Sequence, residues 1–96
     1  MTLYDAEFTD DALKFLRGCD KPLRRQLGYA IHTLQEDPRQ SGVERLQEGK
    51  KKKGAASLPK YRLRKGDYRI IFSVLDDEVL IYVINVGPRG SIYRTL

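Results

Sequence analysis

The chain is poor in the residues from which cross-links, metal sites and nucleophile triads are built. Cys19 is its only cysteine, so no disulfide forms within the chain, which fits a reducing compartment such as the cytoplasm. No second ligand or base lies near Cys19 in sequence, which makes it a structural or incidental thiol rather than a nucleophile. His32 is the only histidine, and a lone histidine offers no ligand cluster and no Ser-His-acid constellation. No GxxxxGK, GxGxxG or zinc-ligand spacing occurs, so no cofactor is expected. No apolar run approaches the roughly 20 residues that cross a bilayer. The opening MTLYDAEFTDD is acidic and lacks an apolar segment, so neither a secretory signal nor a membrane partner is expected.

What is present is positive charge, and it is regional. Residues 50–69 hold nine Lys or Arg against one acid, a net of +8, whereas the rest of the 96-residue chain is at −3. A field of this kind focuses on an anionic partner, and nucleic acid is the natural candidate, with an acidic membrane surface or an acidic protein segment as alternatives. The densest part is LPKYRLRKGDYR, Leu58 to Arg69. Lys65-Gly66-Asp67 reads as a tight turn, because glycine reaches positive φ without strain and aspartate bonds its own backbone. In a strand, Lys60, Arg62 and Arg64 share one face, and such a row suits a chain of phosphates. Lys50, Lys51, Lys52 and Lys53, followed by Gly54-Ala55-Ala56-Ser57, read as a basic loop that adds sequence-independent phosphate attraction.

The length suggests one small domain with one core. A hydrophobic content of 41% beside 32% charge describes a globular chain rather than a disordered one. Tyr4, Ala6 and Phe8 alternate with polar residues and predict a half-buried first strand. Thr9 or Asp10 caps a first helix with Ala12, Leu13 and Leu16 inward, stopped near Gly18. Asp20 caps a second, in which Leu23, Leu27, Ala30, Ile31 and Leu34 form the apolar stripe and His32 lies on the flank or outside; Asp37-Pro38 ends it. Residues 39–57 are the least regular, with Val43 and Leu46 anchoring them.

Three strands follow. They are Leu58 to Arg64, Tyr68 to Val74 with Tyr68, Ile70, Phe72 and Val74 toward the core, and an apolar central strand from Val79 to Val86. Asp76-Asp77 turns the chain before the last strand and Gly87-Pro88 ends it. The predicted class is α+β. An N-terminal strand and an antiparallel helical hairpin precede a three-stranded antiparallel meander, giving a twisted sheet with the helices on one face and Arg69 with the cationic row on the other.

Arginines, lysines and tyrosines in this density bind phosphates by charge-assisted hydrogen bonds and stack bases on rings. They also suit RNA cleavage in which the 2′-hydroxyl attacks the adjacent phosphorus and cations stabilise the developing charge. The spans YRLRKGDYRIIFSV and VINVGPRGSIYR together resemble the signature of the RelE/ParE toxin superfamily, and the order of elements before them is similar along the whole chain. The resemblance implies a RelE-like toxin of a type II toxin–antitoxin pair, neutralised by a cognate antitoxin. RelE-like members enter the ribosome and cut mRNA, whereas ParE-like members inhibit DNA gyrase.

By resemblance, Arg69 contacts the scissile phosphate, Arg89 follows the last core strand as a second catalytic arginine, and Tyr93 orients or stacks on a base. Arg62 and Arg64 take positions that carry lysines in well-characterised nucleases of the family, with Lys60 and Lys65 beside them on the RNA. Arginine is a poor base. Pro88 stands where many relatives have histidine, and the end at Leu96 leaves little room for a terminal helix. The leading expectation is therefore an mRNA interferase that halts translation. A gyrase inhibitor, or a weakly toxic member that mainly binds its antitoxin, are the alternatives.

Overall fold

The computed structural model describes residues 3–46 and 58–90. Strand β1, Asp5–Phe8, leads into helix α1, Asp10–Gly18. Thr9 is the cap: its hydroxyl oxygen accepts from the Ala12 amide at 3.2 Å and donates to the Ile84 carbonyl, fixing the helix start to the sheet. Asp10 and Asp11 occupy the first turn, where the helix dipole favours acids. Asp20 caps α2, Lys21–Glu36, by accepting from the Leu23 amide at 3.2 Å. Arg24 closes the helical hairpin by donating to the carbonyls of Leu16, Arg17 and Cys19 at 2.9, 3.1 and 3.0 Å. Two of these belong to the last turn of α1, whose carbonyls have no partner within the helix.

Four more strands complete the sheet: β2 Val43–Arg45, β3 Tyr61–Lys65, β4 Tyr68–Leu75 and β5 Leu80–Pro88, in the order β1-β5-β4-β3-β2. The meander β3-β4-β5 is antiparallel, as the turn signals predict. β1 joins it in parallel beside β5, from Asp5 opposite Leu80 to Phe8 opposite Val83.

Several boundaries differ from the sequence reading. The stretch after α2 is not wholly irregular, because β2 pairs antiparallel with β3 and sets Glu44 opposite Arg62. β3 begins at Tyr61 rather than Leu58 and runs on to Lys65. Val79 precedes β5 as a left-handed residue (φ 50°) closing a 3-10 turn, Asp76–Glu78. Gly87 and Pro88 lie within β5, opposite Arg69 and Tyr68.

The core lies between the helices and the sheet. Ala12, Leu27, Leu34, Ile70, Phe72, Ile81 and Val83 are fully buried in it, and full burial of a large apolar side chain contributes about 1.5–3 kcal/mol. A bulge in β5 matters for the other face. Ile71 pairs with Asn85 but Phe72 pairs with Val83, so Ile84 has no partner in β4. The extra residue re-phases β5: Val83 and Val86 both reach the core, and Asn85 and Gly87 come to lie opposite Ile71 and Arg69.

The second face is also less open than expected. Ile71 and Ser73 are buried, and the Ser73 hydroxyl donates to the Pro59 carbonyl at 2.8 Å. Among the described residues, the arginines of that face gather toward the end of the sheet carrying the Gly66 turn.

Candidate nucleic-acid interface

Gly66 has a φ of +59°, and the turn it makes between β3 and β4 holds the site's two best-placed arginines. Arg69 Nη1 donates to the carbonyls of Gly66 and Tyr68, each at 2.9 Å, and the residue is only 8% exposed. The Arg89 amide donates to the Asp67 carbonyl at 3.0 Å, which docks the end of β5 on the same turn. Arg89 is exposed, two positions beyond the Gly87 that faces Arg69.

Arg64 stands directly across the ladder from Arg69. Like charges at opposed positions destabilise a sheet, so this pair breaks a local rule of folding. An anion near both side chains relieves such a conflict, and Glu44 already acts on both.

Among the described residues two acids lie at this end of the sheet, Asp67 in the Gly66 turn and Glu44 in β2, and Glu44 is the one that pairs with the arginines. Its carboxylate accepts from Arg62, whose side chain is 19% exposed, and lies 3.7 Å from Arg64, whose side chain is 59% exposed. The Arg62 hydrogen bond and charge hold the Glu44 carboxyl below the usual carboxylate range, with smaller contributions from Arg64 and Arg69. Glu44 therefore stays ionised at neutral pH, in electrostatic reach of three arginines. Sequence reasoning did not find it, because a three-residue strand in an irregular stretch carries almost no periodic signal. Its place is set by the pairing of β2 with β3.

The predicted residues thus fall into groups. Arg62, Arg64 and Arg69 come together on one face, and Arg89 is tied to the same turn through its backbone. Lys60 is half-buried beside β3, and its carbonyl accepts from the Leu46 amide at 2.8 Å. Lys65 instead stands over the Tyr29 ring of α2, its Nζ 6.0 Å from the ring centre. Tyr93 and Lys50 to Lys53 lie outside the described residues. His32 is at the surface, 3.8 Å from Glu36 of its own helix. Among the described residues no three His, Cys, Asp or Glu side chains gather in a way that would hold a metal ion. No described helix is long and apolar enough to cross a membrane.

Chemically, the face offers rigid guanidinium forks to phosphate oxygens, with one carboxylate among them. Known proteins share this architecture. Residues 6–93 match the family described as the ParE toxin of the type II toxin–antitoxin system parDE. The mRNA interferase toxin RelE of Escherichia coli K12 is 33% identical over 86 residues, covering 90% of this chain and 83% of RelE. The crystal structure of the archaeal RelE–RelB complex from Pyrococcus horikoshii matches with a TM-score of 0.71 and 30% identity, over 95% of this chain and 99% of that one. The intact E. coli RelBE toxin–antitoxin complex matches with a TM-score of 0.62 and 30% identity, over 88% and 95%. The chain belongs to the RelE/ParE superfamily of type II toxins.

Proposed function

We propose that the protein is a ribosome-dependent mRNA endonuclease that blocks translation and growth in the cytoplasm until a cognate antitoxin covers it. The observation that carries this reading is the Arg64–Arg69 pair, two cations set opposite each other at the sheet end where Arg62 and Arg89 also lie. The kinship with RelE relatives named as mRNA interferases points the same way.

In the proposed reaction the substrate's 2′-hydroxyl attacks the adjacent phosphorus and the bond to the 5′-oxygen breaks. The products are a 2′,3′-cyclic phosphate and a 5′-hydroxyl. The nucleophile comes from the RNA, so no step calls on a metal ion. Arg69, held in place by the Gly66 and Tyr68 carbonyls, takes the scissile phosphate. Arg89 and Arg64 stabilise charge developing on its oxygens and on the leaving group. Tyr93 stacks on a base. Lys60 and Lys65, and the lysines Lys50 to Lys53, hold flanking phosphates. The hydroxyl proton needs an acceptor, which arginine does not provide. Glu44, Lys60 and Lys65 are the proton-exchanging groups on or beside the face.

The antitoxin is an amphipathic segment that carries acids to Arg62, Arg64, Arg69 and Arg89, or displaces an element next to them. The matched family description names ParE, which favours gyrase inhibition as the second reading. Two assays separate them. Growth arrest with cleaved mRNA, both abolished by Arg69→Ala and Arg89→Ala, supports the nuclease. Blocked supercoiling in a purified gyrase reaction, with intact mRNA, replaces it with the gyrase reading.

A further inference from the structure

The first half of α2 carries a second basic surface that the sheet site does not use. Lys21, Arg25 and Tyr29 fall at i, i+4 and i+8, along one face of the helix, about 6 Å of rise apart. All three are exposed, and Tyr29, at 65%, is the most exposed large apolar side chain among the described residues. No acid occurs from Lys21 to Gln35. The first turn of α2 holds no acid but begins with Lys21, the opposite of what the helix dipole favours, so the charge there is not explained by helix stability. Arg24 is turned back onto the carbonyls that end α1, and with Lys21 and Arg25 it lines an open depression of about 330 Å³.

This surface adjoins the sheet site. Lys65 stands 6.0 Å above the Tyr29 ring, and it follows Arg64, the cross-strand neighbour of Arg69. Cations therefore run from Arg64 on the sheet face, past the Gly66 turn with its single acid Asp67, to Lys65 and on to α2. We propose that this stripe is a second track for single-stranded RNA. It holds the part of the transcript that extends beyond the sheet site, with Lys21 and Arg25 on phosphates and Tyr29 stacked on a base.

A single strand suits the stripe better than a duplex. An exposed ring flanked by cations needs an unstacked base to receive, and a duplex keeps its bases inside. The inference rests on the nuclease reading for the source of the strand, but it makes a separate prediction about binding.

The test uses the full chain and 2′-O-methyl RNA, which has no free 2′-hydroxyl to attack. Binding is measured against salt for an unstructured strand of about 20 nucleotides, a strand of about 5, and a hairpin duplex. The wild type should prefer the long strand. Lys21→Gln with Arg25→Gln should weaken long-strand binding and lower its log–log salt slope by about 1.4, the share of two phosphate contacts on a single strand. Tyr29→Leu should weaken it about fivefold or more. Short-strand binding should stay unchanged, and circular dichroism should show the fold intact in each variant.

The proposal is overturned if the long strand has no advantage in the wild type, if these variants leave its affinity and salt slope unchanged, if short and long strands weaken equally, or if only the hairpin responds. Intact mRNA after treatment with the wild-type protein would remove the nuclease reading instead, while the length dependence would still decide this one.

Discussion

Replacing Arg69 separates holding a turn from holding a phosphate. In Arg69→Ala two charge-assisted bonds to the Gly66 and Tyr68 carbonyls disappear. A bond of this kind contributes about 1.5–3 kcal/mol. Water reaches the exposed Gly66 turn and replaces part of that, and the loss of the repulsion with Arg64 returns about 0.2–1 kcal/mol. The expected destabilisation is therefore about 1–3 kcal/mol, which urea unfolding measures directly. Against a typical stability of about 5–15 kcal/mol, most molecules stay folded.

Catalysis should fall much further. Removing one preorganised donor at a reacting oxyanion costs roughly 10²–10³ in rate. Single-turnover cleavage of ribosome-bound mRNA is the assay. Arg69→Lys keeps the charge but not the planar fork that reaches two carbonyls and a phosphate together, so it should recover stability better than rate. A rate loss no larger than the loss of folded protein, or a lysine variant with wild-type rate, would refute the assignment of Arg69 to the phosphate.

Gly66→Ala should cost about 1–2 kcal/mol, because a Cβ there meets no atom within 4 Å and the penalty lies in the positive φ alone; unfolding checks this, and cleavage should fall too, since the turn carbonyls anchor Arg69 and Arg89. Phe72→Ala empties a fully buried position of the central strand and should cost about 3–5 kcal/mol in the same assay. Asp76 accepts from Tyr4 at 2.9 Å and from both Nη atoms of Arg39 at 3.0 and 2.8 Å, and these bonds hold its carboxyl below its ordinary value of 3.8. A depressed folded value adds stability above the unfolded one and loses it as pH falls through the folded one, so the advantage of wild type over Asp76→Asn should be full at neutral pH, begin to fade near about pH 4 and disappear once pH passes below the depressed folded value. An advantage that does not change on acidification would show that the cluster contributes nothing.

The meander was legible because its turns announce themselves. Lys65-Gly66-Asp67 and Asp76-Asp77 punctuate alternating or apolar runs, and Thr9, Asp20 and Pro38 mark the helices just as locally. What the sequence concealed depends on partners far away in the chain. β2 is strand because Val43 meets Leu63 and Glu44 meets Arg62, not because VER has a pattern. β1 lies parallel to β5 through contacts some 75 residues distant, as in the Thr9 to Ile84 bond. The β5 bulge sets Gly87 opposite Arg69, and no local signal marks Ile84 as the extra residue.

The site shows the same division. Lys60, Arg62 and Arg64 were visible as a cationic row with Arg69 on the same face, but not the carboxylate among them. Lys65 was read as a turn residue and an RNA contact; alternation along β3 turns it toward α2, where it stands over Tyr29. Burial of Ile71 and Ser73 was also missed, because period-two reasoning assigns a face without saying what covers it.

An arginine face that cuts ribosome-bound mRNA through the substrate's own hydroxyl leaves defined ends. The most direct measurement is to map the ends of mRNA from purified translating ribosomes treated with the toxin. The wild type should give 2′,3′-cyclic phosphate and 5′-hydroxyl ends, and Arg69→Ala or Arg89→Ala should leave the mRNA uncut. Intact mRNA with the wild-type protein, or ends bearing a 5′-phosphate, would contradict that chemistry.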